Sequence, residues 1–207
     1  MASEDAFVDL LPTEWKASVH AWLKEDTPAF DVGGFVVGNK PEVAHLFAKS
    51  PGMLCGVPFV DAVFEICGCE VEWHMREGST IELRDGASKV HVATVRGPAR
   101  KLLLGERTAL NTLSRASGVA TRAHSAVQKA RAAGWAGAVA GTRKTTPGFR
   151  LVEKYALLVA GAPRAVIAPP TRRGAAAPRT AARAPDRHHR TMACLLYTSP
   201  SPRDGLL

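Results

Sequence analysis

The feature that most limits what this chain can fold into is a change of composition after residue 160. Residues 163–190 consist largely of Arg, Ala and Pro, with few large apolar residues and no helical or strand period. Such a composition cannot bury a hydrophobic core, so we expect residues 162–207 to form a disordered tail. The preceding residues, enough for one ordinary domain or two small ones, must supply the packed structure.

The charge of the chain follows the same division. The net charge of the sequence is +8. Residues 1–160 hold 19 Lys and Arg against 17 Asp and Glu, whereas residues 161–207 hold eight Arg and two Asp. The folded part is therefore nearly neutral, and we expect no specific nucleic-acid partner. Nonspecific, salt-sensitive binding through the Arg-rich tail stays an alternative, although that tail lacks interleaved aromatic residues.

The sequence also argues against membrane and secreted proteins. No segment approaches the roughly 18–20 uncharged apolar residues that a membrane helix needs. The N-terminus is acidic and lacks the features of a secretory or transit signal. Four cysteines do not form a disulfide framework in a chain of this length, which predicts a reducing, cytoplasmic location. They are Cys55, Cys67, Cys69 and Cys194.

Hydrophobic periodicity predicts an α+β arrangement for the first part of the chain. Apolar residues at helical spacing predict helices that begin after Thr13 and at Pro58, with a loop and a short extended piece over residues 26–40. Alternating apolar and polar residues predict a small α/β layer with one solvent-exposed face. The predicted strands are residues 43–49, 70–75, 80–84 and 89–96.

A different order of elements follows residue 97. We predict one helix from Pro98 to Ser117, an interruption at Ser117-Gly118, and a second, Ala-rich helix to about residue 133. A short buried strand is predicted at residues 137–141, then a polar loop and a helix over residues 149–158. This order is how a parallel α/β barrel begins.

The polar loop, residues 141–148, has the sequence Gly-Thr-Arg-Lys-Thr-Thr-Pro-Gly. It follows the end of a strand, where barrel enzymes place their catalytic groups. Arg143 offers a bidentate grip and Lys144 a point charge, which suits a planar dicarboxylate or a phosphate ester. A solvated loop with two surface cations is the alternative. The neighbouring hydroxyls belong to Thr142, Thr145 and Thr146.

A P-loop is excluded, because Arg143 occupies the place where that motif requires glycine before lysine. Arg107 is a second candidate, since it interrupts an apolar stripe formed by Leu103 and Leu110 on the predicted helix. A buried guanidinium needs an anion from the protein or from a ligand. Alternatively, Arg107 extends to solvent or pairs with Glu106.

Other reactive residues lack a partner set. Cys67 and Cys69 do not have the spacing or the second ligand pair of a zinc site, so we interpret them as core residues. His74 and His91 alternate with apolar residues on predicted strands, and we expect them to face outward. The histidine pair at positions 188 and 189 lies in the tail, away from other metal ligands.

Several segments match one known family in order and spacing. They are Leu-Leu-Leu-Gly-Glu-Arg-Thr-Ala-Leu-Asn (102–111), Ser-Gly-Val-Ala-Thr (117–121), Ala-Gly-Thr-Arg-Lys-Thr-Thr-Pro-Gly-Phe-Arg (140–150) and Leu-Val-Glu-Lys-Tyr-Ala (151–156). With them the chain resembles quinolinate phosphoribosyltransferase, also called nicotinate-nucleotide pyrophosphorylase (carboxylating). Residues 48–52 and 56–59 resemble the animal form, and the resemblance covers about residues 7–161.

The resemblance implies a fold and an activity. The fold is an open α/β sandwich, here residues 1–112, followed by an α/β barrel of which residues 113–161 would be the first helices and strand. The activity is transfer of the phosphoribosyl group of 5-phosphoribosyl-1-pyrophosphate to quinolinate with decarboxylation. The products are nicotinate mononucleotide, pyrophosphate and CO2, in de novo NAD biosynthesis. Mg²⁺ would accompany the pyrophosphate.

The resemblance also implies site residues and a partner. Arg107 would bind substrate across the interface of a homodimer or higher homo-oligomer. Thr142, Arg143 and Lys144 would hold the dicarboxylate and the phosphoribosyl donor, with Lys144 as the catalytic residue. No metal ligand is expected in this chain. Nicotinate phosphoribosyltransferase is the competing family, and the run at residues 141–147 disfavours it.

The sequence departs from the family after residue 161. The family's His-Arg pair, its Lys-Asp-Asn-His strand end, its acidic residues and its glycine-rich phosphate loops do not follow. A complete barrel takes about 250 residues. We therefore expect residues 162–207 to be foreign to the fold and the chain itself to be inactive. The alternative function is that of an inert fragment that pairs with full-length subunits.

Overall fold

The computed structural model describes residues 5–83, 86–135 and 139–161. The predicted tail, residues 162–207, lies outside the described residues. The end of the predicted strand at residues 80–84 and the start of the predicted strand at residues 137–141 also lie outside the described residues. Residues 139–141 are described and do not form a strand, so that part of the strand prediction is wrong; the described strands pair only with one another, in the two sheets given below.

Six helices and five strands make up the described residues, which confirms the mixed α/β class. The helices are α1 (Asp5–Val8), α2 (Trp15–Asp26), α3 (Val32–Val37), α4 (Val57–Cys67), α5 (Ala99–Ala132) and α6 (Arg150–Val159). The strands are β1 (Pro41–Ala48), β2 (Gly52–Met53), β3 (Glu70–Trp73), β4 (Thr80–Ile81) and β5 (Val90–Pro98). None of the described helices is long and apolar enough to span a membrane.

The long strand β5 lies at the centre of an antiparallel sheet with the order β1-β5-β3, and β2 pairs with β4 in a second, two-stranded sheet. The register shifts between β1 and β5, where Leu46 faces Ala93 and Phe47 faces His91. This β-bulge leaves Val92 without a partner in β1, and the side chain of Val92 is buried.

The core forms where α4 packs against α5 beside the sheet. Most side chains of α4 are apolar and buried, and Gly68 ends the helix in the left-handed conformation with φ of 73°, as predicted. Phe59 is fully buried and contacts three aromatic rings from α2 and α6. These rings belong to Trp15, Trp22 and Tyr155. The core therefore connects α6 to the N-terminal layer.

The prediction of a loop over residues 26–40 is wrong, because residues 32–37 form α3. Asp31 caps this helix: its Oδ1 accepts a hydrogen bond from the backbone N–H of Gly34 at 2.9 Å. Its Oδ2 accepts from Nε of Arg100 on α5 at 2.9 Å. An N-cap and an ion pair to a distant helix thus stabilise a segment whose two glycines disfavour a helix.

The predicted interruption at Ser117-Gly118 is also wrong, since α5 continues from Ala99 to Ala132. A glycine inside a helix costs only about 1 kcal/mol relative to alanine. Small buried residues continue at helical spacing across it: Ala116, Ala120, Ala123 and Val127. Ser117 also exchanges hydrogen bonds with the backbone of Cys55, at 3.1 Å each. Packing along one face therefore keeps α5 continuous through Gly118.

Candidate active site

The loop at residues 141–148 lies directly before α6. Arg143 and Lys144 are both exposed, and the backbone N–H of Lys144 donates to Oγ1 of Thr142 at 3.2 Å. Within the described residues, neither cationic side chain has an ion-pair partner. The structure therefore places Thr142, Arg143 and Lys144 together, with two free positive charges side by side.

The first turn of α6 holds the second half of this loop. Nε of Arg150 donates to Oγ1 of Thr145 at 3.0 Å. The carboxylate of Glu153 accepts from the hydroxyl of Thr146 at 2.6 Å and from its backbone N–H at 3.2 Å. Glu153 also lies 3.7 Å from Nη1 of Arg115, which connects the loop to α5.

Lys154 holds the first half of the loop. Its Nζ donates to the carbonyl oxygen of Thr142 at 2.7 Å and to that of Gly141 at 3.2 Å. Burial lowers the pKa of Lys154, and the nearby cations Arg150 and Arg143 lower it further. The electrostatic potential at this loop is therefore positive, which favours an anionic ligand.

Arg107 is exposed, so the interpretation of a buried guanidinium is wrong and the alternative, that its side chain extends to solvent, is confirmed. Its side chain is 65% exposed, and the flanking Leu103 and Leu110 are 42% and 39% exposed. Helix α5 instead buries the neighbouring face that carries Leu102, Gly105, Ala109 and Leu113. Nε of Arg107 donates to both carboxylate oxygens of Asp26 on α2, at 3.0 and 3.1 Å, and not to Glu106.

A surface cleft of about 610 Å³ lies between α2, α5 and the loop. Asp26, the partner of Arg107, lines one side, and Thr146 lines the other. No hydrogen bond or ion pair between described residues joins Arg107 to Thr142, Arg143 or Lys144. Within one chain, the described residues therefore show no direct bond between Arg107 and the three loop residues.

Four residues that shape this region were not predicted from the sequence. Asp26, Arg115, Glu153 and Lys154 all act through contacts between elements or with the backbone. The spacing of Arg150, Glu153 and Lys154 offered a signal, because residues three and four apart share one helix face. That face could have been predicted to turn toward the preceding loop.

The remaining candidates behave as structural residues. Cys67 and Cys69 are buried free thiols, as predicted, and burial raises the pKa of Cys67 to about 11. His74 is exposed, as predicted, and His91 is partly buried beside it, with ring centroids 4.4 Å apart. Thr94 lies within hydrogen-bond distance of both rings. Among the described residues, no three His, Cys, Asp or Glu side chains form a group that could hold a metal ion.

Two models of one protein family match the chain. Residues 29–117 match the N-terminal domain of quinolinate phosphoribosyl transferase, and residues 119–167 match its C-terminal domain. The first match contains Arg107, and the second contains the loop at residues 141–148 and α6.

Relatives match over the same region. The nicotinate-nucleotide pyrophosphorylase [carboxylating] of Homo sapiens is 54% identical over 162 residues, which is 78% of this chain and 53% of that protein. The enzyme of the same name from Rattus norvegicus is 55% identical over 153 residues, covering 74% of this chain and 50% of that protein. The chain therefore spans about half the length of the curated relatives it matches.

Solved structures support the same fold. The crystal structure of NadC from Streptococcus pyogenes aligns with a TM-score of 0.64 and 31% identity, over 74% of this chain and 53% of that one. The nicotinate-nucleotide pyrophosphorylase from Francisella tularensis aligns with a TM-score of 0.61 at 24% identity, over 78% of this chain and 53% of that one. The chain belongs to the quinolinate phosphoribosyltransferase family.

Proposed function

We propose that this chain carries part of the substrate site of a quinolinate phosphoribosyltransferase. In that reaction the phosphoribosyl group of 5-phosphoribosyl-1-pyrophosphate moves to the ring nitrogen of quinolinate, the 2-carboxylate is lost as CO2, and nicotinate mononucleotide forms for NAD biosynthesis. The observation that carries the proposal is the pair of exposed, unpaired cations, Arg143 and Lys144, on a loop that α6 holds in place.

The chemistry of quinolinate suits this loop. Two adjacent carboxylates on a planar ring need converging cations, and a guanidinium can grip one of them with two parallel hydrogen bonds. Arg143 supplies that fork, and Thr142 adds a hydroxyl. Lys144 would act as the catalytic residue by stabilising negative charge that grows as the glycosidic bond to pyrophosphate breaks.

Arg107 would complete the site from a second copy of the chain. It is exposed on α5 between two exposed leucines, Leu103 and Leu110, which suits a surface that a second subunit covers. Since Arg107 makes no bond to Thr142, Arg143 or Lys144 of its own chain among the described residues, a homodimer or higher homo-oligomer would bring the two sets together.

Mg²⁺ accompanies the pyrophosphate group in the reaction of this family. The described residues include no acidic group able to hold a metal ion, and the loop at residues 141–148 contains no acidic residue. Glu153, the nearest carboxylate in sequence, is bound to Thr146. The described part of the chain therefore does not fit a directly bound Mg²⁺.

We further propose a division at residues 112 and 113 between the sandwich and the first part of the barrel, although α5 runs across this point without interruption. A cytosolic location is supported by the free thiols of Cys55, Cys67 and Cys69. Because the chain spans about half of its relatives, we expect the 207 residues alone to be inactive.

The experiment that tests this function compares the chain with an extended chimera. The chimera joins residues 1–161 to the remaining C-terminal half of the Rattus norvegicus relative. We expect the chimera to form nicotinate mononucleotide and the 207-residue chain to form none above a no-enzyme control. Arg143→Ala should remove most of the chimera's activity, whereas Arg131→Ala, at an exposed arginine in the last turn of α5, should not. Equal activity of the two variants would contradict the proposal.

A second candidate function is that of an inert fragment that pairs with full-length subunits. The exposed apolar side chains on and beside α3 favour it, since Phe30 is 96% exposed, Phe35 80% and Val36 79%. We expect the chain to co-elute with the full-length relative from Rattus norvegicus in size-exclusion chromatography. Separate elution at micromolar concentrations would exclude this function.

A further inference from the structure

We propose that Lys154 is a positioning residue that sets the backbone of Thr142 and Arg143 for an anionic substrate, an inference that rests on the proposed function. Lys154 lies on α6, outside the loop that carries the candidate substrate residues. It would act through the loop backbone and not by touching the substrate itself.

The surroundings of Lys154 indicate that its two hydrogen bonds to the loop backbone stabilise its position. Its amine is partly buried and bonds the carbonyl oxygens of Gly141 and Thr142, at 3.2 and 2.7 Å. The adjacent carboxylate of Glu153 is engaged by Thr146 and Arg115. Removing a cation from water beside other cations costs free energy unless new hydrogen bonds offset that cost.

These bonds fix the direction of two peptide groups. In a trans peptide the carbonyl and the following N–H point in opposite directions. With the carbonyls of Gly141 and Thr142 turned toward Lys154, the N–H groups of Thr142 and Arg143 are directed away from α6. Neither N–H donates to an acceptor among the described residues. Two unpaired N–H donors therefore adjoin the free side chains of Arg143 and Lys144.

This arrangement suits the carboxylates of quinolinate or a phosphate of the donor. The carbonyl oxygens, which would repel an anion, point toward Lys154. The N–H groups of Thr142 and Arg143 and the side chains of Arg143 and Lys144 are therefore available to bind a ligand. Glu153 holds the other end of the loop through Thr146. Fixing both ends of the loop reduces the freedom that substrate binding must remove.

Hydrogen exchange on the 207-residue chain tests the positioning step. In Lys154→Met we expect faster amide exchange in a peptide covering residues 141–148, with unchanged exchange in α4. Lys129→Met, at an exposed lysine of α5, is the matched control. If Lys154→Met also speeds exchange in α6, Lys154→Arg separates loss of the backbone hydrogen bonds from general loosening of the helix. Arginine keeps donors at this position and should restore the protection of the loop. Unchanged exchange in Lys154→Met, or no rescue by arginine, would overturn the proposal.

Kinetics of the extended chimera test the link to substrate. A small misplacement of a binding group can cost one to two orders of magnitude, so we expect Lys154→Met to raise the KM for quinolinate about tenfold and to change kcat far less. Lys154→Arg should recover most of the loss. A loosened loop with unchanged KM would overturn the role of Lys154 toward substrate. The proposed function itself is judged separately, by Arg143→Ala.

Discussion

Nε of Arg107 donates to both carboxylate oxygens of Asp26, at 3.0 and 3.1 Å, and so connects the first third of α5 to the end of α2. Arg107 is also the residue that we propose to serve a second copy of the chain. On that proposal, Asp26 would compete with quinolinate for the guanidinium of Arg107. The carboxylate of Asp26 would keep this arginine oriented until a carboxylate of the substrate replaced it.

Removing the competing charge should make Arg107 more available. In the extended chimera we expect Asp26→Asn to lower the KM for quinolinate several-fold, since a neutral amide holds a guanidinium more weakly than a carboxylate does. Steady-state kinetics over a range of quinolinate concentrations measure this effect. Glu25→Gln makes the same charge change one residue away, in the same cleft, and should have little effect. A KM that rises in Asp26→Asn, or that matches the control, would mean that Asp26 does not compete with substrate.

Two glycines of α5 should respond in opposite ways to alanine. A Cβ on Gly105 would lie 2.9 Å from Cε1 of Phe64 and 3.2 Å from Cγ1 of Val63, in the contact between α5 and α4. Overpacking of this kind costs about 1–3 kcal/mol, more than the gain in helix propensity. A Cβ on Gly118 would meet nothing within 4 Å. Gly118→Ala should therefore raise the free energy of unfolding by about 0.5–1 kcal/mol.

Urea unfolding of the two variants in parallel measures the difference. Because both substitutions lie in one helix, a general effect of alanine on α5 would move the two midpoints in the same direction. That outcome would contradict the close packing of α4 on Gly105. A destabilised Gly118→Ala would contradict the continuous helix.

The stability of the chain should depend on the charge of Glu77. Its carboxylate accepts hydrogen bonds from the N–H groups of Gly56, at 2.9 Å, and Val57, at 2.8 Å, at the start of α4. Burial raises the pKa of Glu77 above the ordinary value of 4.5, and these two bonds only partly oppose that shift. The folded state then binds the proton more tightly than the unfolded state. This contribution to stability is complete below pH 4.5 and is lost as the pH rises through the pKa of the folded state.

Glu77→Gln should remove this part of the pH dependence. We expect the free energy of unfolding of the variant, minus that of the natural chain, to increase as the pH rises from 4.5 to 7.5. Urea titrations at several pH values measure the slope, which separates the effect of charge from any constant loss of hydrogen bonding. A difference that stays constant over this range would show that Glu77 keeps an ordinary pKa in the folded chain.

Local patterns predict the elements that bury one face. The helix that begins near Pro58 and the strand beginning at Glu70 follow from periods of 3.6 and 2 residues, and both are confirmed. The errors arise where distant residues decide the structure. Asp31 caps α3 and is held by an ion pair with Arg100. Helix α5 continues past Gly118 because the row of buried residues on one of its faces continues past it.

The same distinction applies to the candidate site. The cations Arg143 and Lys144 follow from local sequence. The partner of Arg107, however, lies 81 residues away, at Asp26. The role of Lys154 depends on two backbone carbonyl groups, which no pattern of side chains reveals.

We propose that Arg107 of one subunit and Arg143 of another serve one site, and mixing of inactive subunits tests this arrangement most directly. In the extended chimera, Arg107→Ala and Arg143→Ala should each be nearly inactive. After the two variants are mixed and subunit exchange is confirmed, some sites of the mixed dimers receive both arginines. The rate of nicotinate mononucleotide formation should then recover to a substantial fraction of the unmutated rate. No recovery after confirmed exchange would contradict the claim and would mean that Arg107 serves its own subunit or only the fold.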